Sequence, residues 1–284
     1  MYDVDQLRRD AFGRRAFLAR MSAAGLGAAA IAFLDGCGGS SSSTGPTKNV
    51  PDPTNFPNIT GHNENQAVLN YALTLETLEA NLYLQALNAA SGNANLNAPL
   101  NATFPTASNP LGAYTLAVGP GSINSSLVQP AFAYLVQFAY VEAAHRDFLK
   151  SLLGNVAAPI VPASGNYKFA TSTGKPGSDL GTILSSILPL EETGVRAYLG
   201  AGKFITDNST FEVAGSIYST ECRHSASIEV ILGQDPGPKP ASSIPGVPSP
   251  DQEVQPPPNG AENVFEKYLT PTVVLNAASS AYFA

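Results

Sequence analysis

Apolar residues return every three to four positions along four long stretches of the chain, and each stretch predicts an amphipathic helix. The first covers 64–90 and stops at Ser91-Gly92. The second covers 126–153 and stops at Gly154, with Pro130 early enough to be tolerated. The third covers 178–206 with Gly and Pro interruptions, and the fourth covers 209–232 and stops at Gly233. A short terminal helix is expected near 272–280. Only a few residues around Asp207-Asn208 separate the third and fourth helices, so those two should be antiparallel neighbours. Residues 154–177 form a long crossing segment between the second and third. The segment 91–125 is longer still, rich in Asn, Pro and Gly and nearly free of charge, and is expected to cap one end of the bundle and restrict access to its interior. The fold class this predicts is all-α: a four-helix bundle over 63–233 with long inter-helix loops, then a proline-rich extension over 234–284 that carries the short helix.

Each apolar stripe is broken by an acid near its middle. The first reads Leu69, Ala72, Glu76, Glu79, Tyr83, Leu87, and the second Leu135, Phe138, Ala139, Glu142, His145, Leu149. The third reads Leu184, Ile187, Leu188, Glu191, Val195, Tyr198, and the fourth Ala214, Ile217, Glu221, His224, Ile228. Two of the three histidines fall in the same motif, Glu142-Ala143-Ala144-His145 and Glu221-Cys222-Arg223-His224. Residues three apart share a helix face, so each motif sets a carboxylate beside an imidazole. Burying an unpaired carboxylate costs several kcal/mol, and four that converge repel one another. No Lys or Arg lies on these stripes, so external cations are the compensating charge. Four carboxylates and two imidazoles suit two divalent metal ions, iron or manganese rather than a thiolate-seeking ion, about 3.5–4 Å apart.

Composition sharpens that reading. Charged residues make up only 13% of a chain that is 44% hydrophobic, so an acid inside an apolar stripe needs a reason. The net charge is −7 and no basic patch exists, which argues against nucleic acid as a partner. Five arginines (Arg8, Arg9, Arg14, Arg15 and Arg20) precede an apolar run from Met21 to Leu34, too short to span a bilayer, so 1–36 reads as an export signal. Gly13-Arg14-Arg15-Ala16-Phe17-Leu18 resembles the twin-arginine motif, with Gly13 and Ala19 departing from it; an ordinary Sec signal is the other reading. Leu34-Asp35-Gly36-Cys37 resembles a bacterial lipobox in which Cys37 is lipidated, with plain cleavage as the alternative. Residues 37–62 are a flexible linker by composition, and His62 within it is given no role. The expected location is therefore exported, on the periplasmic or cell-envelope side, with a membrane anchor at Cys37. The other cysteine, Cys222, lies about 100° round the helix from its neighbouring Glu221 and reads as a small packed residue.

The order Glu, Glu-x-x-His, Glu, Glu-x-x-His, one per helix, resembles the ferritin-like di-iron carboxylate proteins. Leu73-Thr74-Leu75-Glu76-Thr77-Leu78-Glu79-Ala80-Asn81-Leu82-Tyr83 and Leu190-Glu191-Glu192-Thr193-Gly194-Val195-Arg196-Ala197-Tyr198 resemble the exported bacterial ferritin-like domain family, to which plant desiccation-related proteins are also similar. The resemblance implies that Glu142 and Glu221 bridge two metals, that Glu76 and His145 complete one, and that Glu191 and His224 complete the other. Glu76 is preferred to Glu79 for its spacing of seven to Tyr83, and Glu191 to Glu192 for its place on the stripe. Glu79, Tyr83 and Tyr198 are then candidates for orienting the ligands. The implied activity is redox chemistry on dioxygen, peroxide or ferrous iron, of ferroxidase, peroxidase or catalase type, in oxidative or stress defence. The alternative is a non-enzymatic stress or desiccation-related protein with a structural metal site. A small oxidant is then a candidate substrate. A homodimer stays open, while a lipid anchor and the long first connection argue against a closed cage.

Overall fold

The computed structural model describes residues 55–93, 116–238 and 266–284. The export segment, Cys37, and most of both the 91–125 loop and the proline-rich extension lie outside the described residues. Five α-helices and no strands occur among those described: α1 (Glu64–Ala90), α2 (Val128–Leu153), α3 (Leu180–Ala201), α4 (Asn208–Ile231) and α5 (Pro271–Tyr282). None is long and apolar enough to cross a membrane.

Local chemistry sets the helix ends. The Asn63 side chain accepts from Gln66 N–H to start α1, and Asp207 does the same for Thr210 to start α4. Asp179 and Thr182 close a reciprocal capping box on α3. That cap starts α3 two residues later than the periodicity suggests. Its expected run to 206 is also too long, since a 3-10 turn over Gly202–Phe204 ends the helix. Pro189 sits inside α3 without stopping it, although a proline removes one helical hydrogen bond. Pro130 falls at the third residue of α2, where its missing N–H has no helical partner to lose.

Contacts between ends give the topology. Asn70, near the start of α1, donates from its side-chain amide to the carbonyls of Thr60 and Val156 and accepts from Ala158 N–H, so α2 ends where α1 begins. The crossing segment then climbs along α1: Ile160 N–H donates to Thr74 Oγ1, and Tyr167 carbonyl accepts from Gln85. α3 therefore starts at the end where α1 finishes and returns to Asn65, which bonds Thr206. The order is up, down, down, up, with α2 and α3 parallel across the crossover. The described tail of the 91–125 loop crosses the upper end, with Ala117 N–H on Ala90 carbonyl and Leu180 N–H on Gly119 carbonyl.

The amphipathic stripe read for α1 understates its burial. Every residue from Gln66 to Leu87 is buried. The outer face of α1 is covered by Phe56, Leu269, Val274 and Leu275, which pack with Val68, Tyr71 and Leu75 against Ala197 and Ala201 of α3. The C-terminal helix is thus part of the core's wall. Gly200 permits this approach, because a Cβ there would lie 1.8 Å from Leu269 carbonyl oxygen. The bundle interior is divided. An upper apolar cluster holds Leu82, Leu87, Leu135, Leu184 and Ile228, and a lower one holds Leu69, Leu73, Leu149, Ala214 and Ile217. Between them lies a polar waist.

Candidate metal centre

The six side chains singled out from the sequence meet at this waist. Glu76, Glu142, Glu191 and Glu221 are each fully buried, His224 is 3% exposed and His145 16%. α1 and α3 run antiparallel, so the spacing of seven in Glu76…Tyr83 and Glu191…Tyr198 puts each tyrosine level with the other helix's acid. The hydroxyls cross accordingly: Tyr83 donates to Glu191 Oε1, and Tyr198 donates to Glu76 Oε1 at 2.5 Å. Each hydroxyl occupies one oxygen of its acid and leaves the other oxygen facing the interior.

Those other oxygens face the histidines. Glu76 Oε2 is 3.2 Å from His145 Nδ1, and Glu191 Oε2 is 3.4 Å from His224 Nδ1. Glu142 spans the pair, with Oε2 3.2 Å from His145 Nδ1 and Oε1 2.7 Å from His224 Nδ1. Glu221 Oε1 lies 3.5 Å from His145 Nδ1. Donor atoms form two overlapping groups of four, Glu76, Glu142, His145, Glu221 and Glu142, Glu191, Glu221, His224, each within 4.8 Å and able to hold a metal ion. Glu142 and Glu221 belong to both.

The donor set fits cations better than it fits itself. Glu142 Oε1, Glu191 Oε2, both Glu221 oxygens and His224 Nδ1 are buried with no hydrogen-bond partner. His224 Nδ1 and Glu142 Oε1 are within ion-pair distance at 2.7 Å, yet they lack hydrogen-bond alignment. Such a pairing of close approach and missed alignment suits two lone pairs aimed at a common third partner. Burial pushes the Glu221 carboxyl well above the ordinary range, and the charges of Glu142, Glu79 and Glu191 add to it. Burial likewise raises Glu76, to about 7, against the opposing pull of His145. Burial would lower both imidazoles, but the surrounding carboxylates raise them, His145 to about 10 and His224 to about 9. Glu142 is the exception among these acids: burial would raise it, and the imidazoles of His224 and His145 hold it well below the carboxylate range.

Glu79 lies buried beside the waist without joining either donor group, and Glu192 stays outside it. Glu192 accepts from Ser225 and pairs with fully buried Arg196, 3.5 Å away, which also reaches Glu266 at 3.9 Å. The sequence reading missed this second buried polar cluster; its one local signal was the four-residue spacing of Glu192 and Arg196. Cys222 is a half-buried free thiol beside Tyr218, away from the donor groups. His62 contributes only its backbone N–H, to Gln66.

A helical bundle with one crossover and an acid-and-histidine waist defines a protein of the ferritin-like class. The Ferritin-like domain family matches residues 64–234, and the chain belongs to it. No curated protein matches the chain.

Proposed function

We propose that the waist holds two divalent cations, iron or manganese, and that the protein is an exported redox protein acting on dioxygen, peroxide or ferrous iron. The observation that carries this reading is the position of Glu142, one oxygen toward each imidazole, inside two groups of four donors that share it and Glu221. Glu76 and His145 would complete one cation's ligands, and Glu191 and His224 the other's. Tyr83 and Tyr198 would fix the free oxygens of Glu191 and Glu76 toward them. When bound, such cations supply one-electron redox and Lewis-acid chemistry that no side chain of the waist provides. The chain supplies the rest. It excludes water above and below with apolar clusters, and it leaves His145 as the one partly exposed donor.

The test is elemental analysis of protein purified from its native export route, followed by peroxide, dioxygen and ferrous-oxidation assays on the same sample. Metal at two ions per chain with turnover supports the reading; absence of metal-dependent turnover refutes the redox half of it. A second reading, a stress protein whose cations chiefly hold the bundle together, draws support from the division of the core into two apolar clusters by buried acids. Metal removal would then lower the melting temperature of a protein that shows no turnover. Export itself rests on Arg14-Arg15 and Cys37. Arg14→Lys with Arg15→Lys blocks export on the twin-arginine route and leaves it intact on the Sec route. Cys37→Ser releases a lipid-anchored protein from membranes and changes nothing in an unanchored one.

A further inference from the structure

Glu79 stands one turn above Glu76 on α1, about 4.5 Å along the axis. Its carboxyl is only 3% exposed and its Oε2 has no hydrogen-bond partner. The charges that act on it most are those of other acids, Glu76, Glu142 and Glu191. The hydroxyls of Tyr71, Tyr198 and Tyr282 also lie near enough to feel its charge, yet one carboxyl oxygen is left over, which suits a cation.

The facing helix makes room for it. The antiparallel pairing sets Glu76 level with Tyr198 and Tyr83 level with Glu191. Three residues after Glu76, α1 carries Glu79, and three residues after Glu191, α3 carries Gly194. The two positions correspond, and both fall at the height between the two donor groups. A Cβ at Gly194 would lie 3.0 Å from Glu221 Oε2 and 3.2 Å from Glu79 Oε1. Both carboxylates therefore lean into a notch that exists because that position has no side chain. Glycine inside a helix is disfavoured relative to alanine, so the notch is held against local preference.

We propose that Glu79 is a seventh ligand-bearing side chain of the cation site, seated with Glu221 in the notch left by Gly194. This rests on the two-cation reading above and extends it. The donor set becomes unequal between the halves of the bundle: α1 contributes two carboxylates and α3 one. Glu79 then adds an anionic oxygen from beside Glu221, at the edge of the two donor groups that Glu142 and Glu221 share.

The experiment is equilibrium titration of metal-free protein with Mn(II), and with Fe(II) under anaerobic conditions. It compares wild type, Glu79→Gln and Gly194→Ala by bound stoichiometry, dissociation constant and the Mn(II) paramagnetic resonance spectrum. Glu79→Gln keeps the shape and removes the charge, and should weaken binding at least about tenfold with an altered spectrum. Gly194→Ala keeps every ligand and fills the notch, and should weaken binding comparably while α3 gains helix propensity. It also stands as the independent variant if Glu79→Gln fails to fold. Wild-type affinity and spectrum in either folded variant would overturn the role of Glu79 and leave the six-residue site standing. Failure of the wild type to bind either ion would overturn both.

Discussion

Replacing Glu221 with Gln should stabilise the metal-free protein and abolish its response to metal. Glu221 is fully buried, both its oxygens lack partners, and burial followed by the charges of Glu142 and Glu79 raises its pKa. A buried acceptor without a partner costs about 1–3 kcal/mol. A glutamine amide in its place carries no charge and can donate to the neighbouring carboxylates. Without metal the variant should therefore gain roughly 1–3 kcal/mol. At about 2–4 °C per kcal/mol for a domain of this size, its melting temperature should rise by about 2–12 °C. With metal the order reverses. An ion at a hundred times its dissociation constant stabilises the wild type by about 2.7 kcal/mol. The variant has lost a carboxylate common to both donor groups. At an effective dielectric near 20, a unit charge 4 Å from another is worth about 4 kcal/mol, enough to remove that gain. Calorimetric melting of both proteins, stripped with chelator and reloaded with Mn(II), reads the two signs directly. A metal-free variant that melts below wild type, or one that keeps the metal-induced rise, would refute the reasoning.

Glu142→Gln should show the opposite metal-free sign, because Glu142 is held ionised between two imidazoles; removing its charge should cost about 3 kcal/mol in chemical denaturation, and both cations should be lost in titration. Tyr83→Phe should weaken the cation at Glu191 and His224, and Tyr198→Phe the one at Glu76 and His145, each by about 10–100-fold, read as a change in one of two Mn(II) binding steps. Metal-free stability should fall as pH rises from 6 to 10. His145 and His224 have folded pKa values of about 10 and 9, above their unfolded 6.5, so their contribution is complete below pH 6.5 and is lost through 9–10; Glu76, raised to about 7, adds loss in the same direction from 4.5 upward. Calorimetry across that range checks it, and the metal-loaded protein, whose imidazoles have given up their protons, should show a flatter profile.

The fold and the six convergent side chains were legible because each helix states its buried face in its own sequence, and an acid inside that face is conspicuous in a chain with few charges. That Glu191 faces the waist while Glu192 turns to Arg196 and Ser225 was legible for the same reason: one lies on the apolar stripe and the other a residue off it. What a helix buries on its far side cannot be read this way. α1 looks amphipathic in isolation, yet Phe56 and Leu275, more than two hundred residues apart in sequence, together close its outer face. Burial of Arg196 was hidden likewise, since its second partner, Glu266, comes from within the C-terminal extension. The crossed tyrosines sit between these cases. Their spacing of seven is visible in both helices, but which acid each reaches depends on α1 and α3 being antiparallel, and only the crossover decides that.

The two halves of the waist are built from one pattern and finished differently. Each half has an acid with a tyrosine seven residues on, and a Glu-x-x-His pair facing it. On the lower side His145 keeps 16% of its side-chain surface open to solvent. On the upper side His224 is sealed: the Phe138 ring stacks on it at 3.9 Å, and Tyr134 stacks on Phe138 at 5.7 Å with the rings parallel to within 2°. His145 is thus the less enclosed of the two imidazoles, whereas His224 lies behind an aromatic pair. Symmetric packing of four apolar stripes would not require that difference, since sealing His145 with another phenylalanine would bury more apolar area. The less enclosed histidine gives up that burial, so the two Glu-x-x-His pairs, alike in sequence, differ in what covers them.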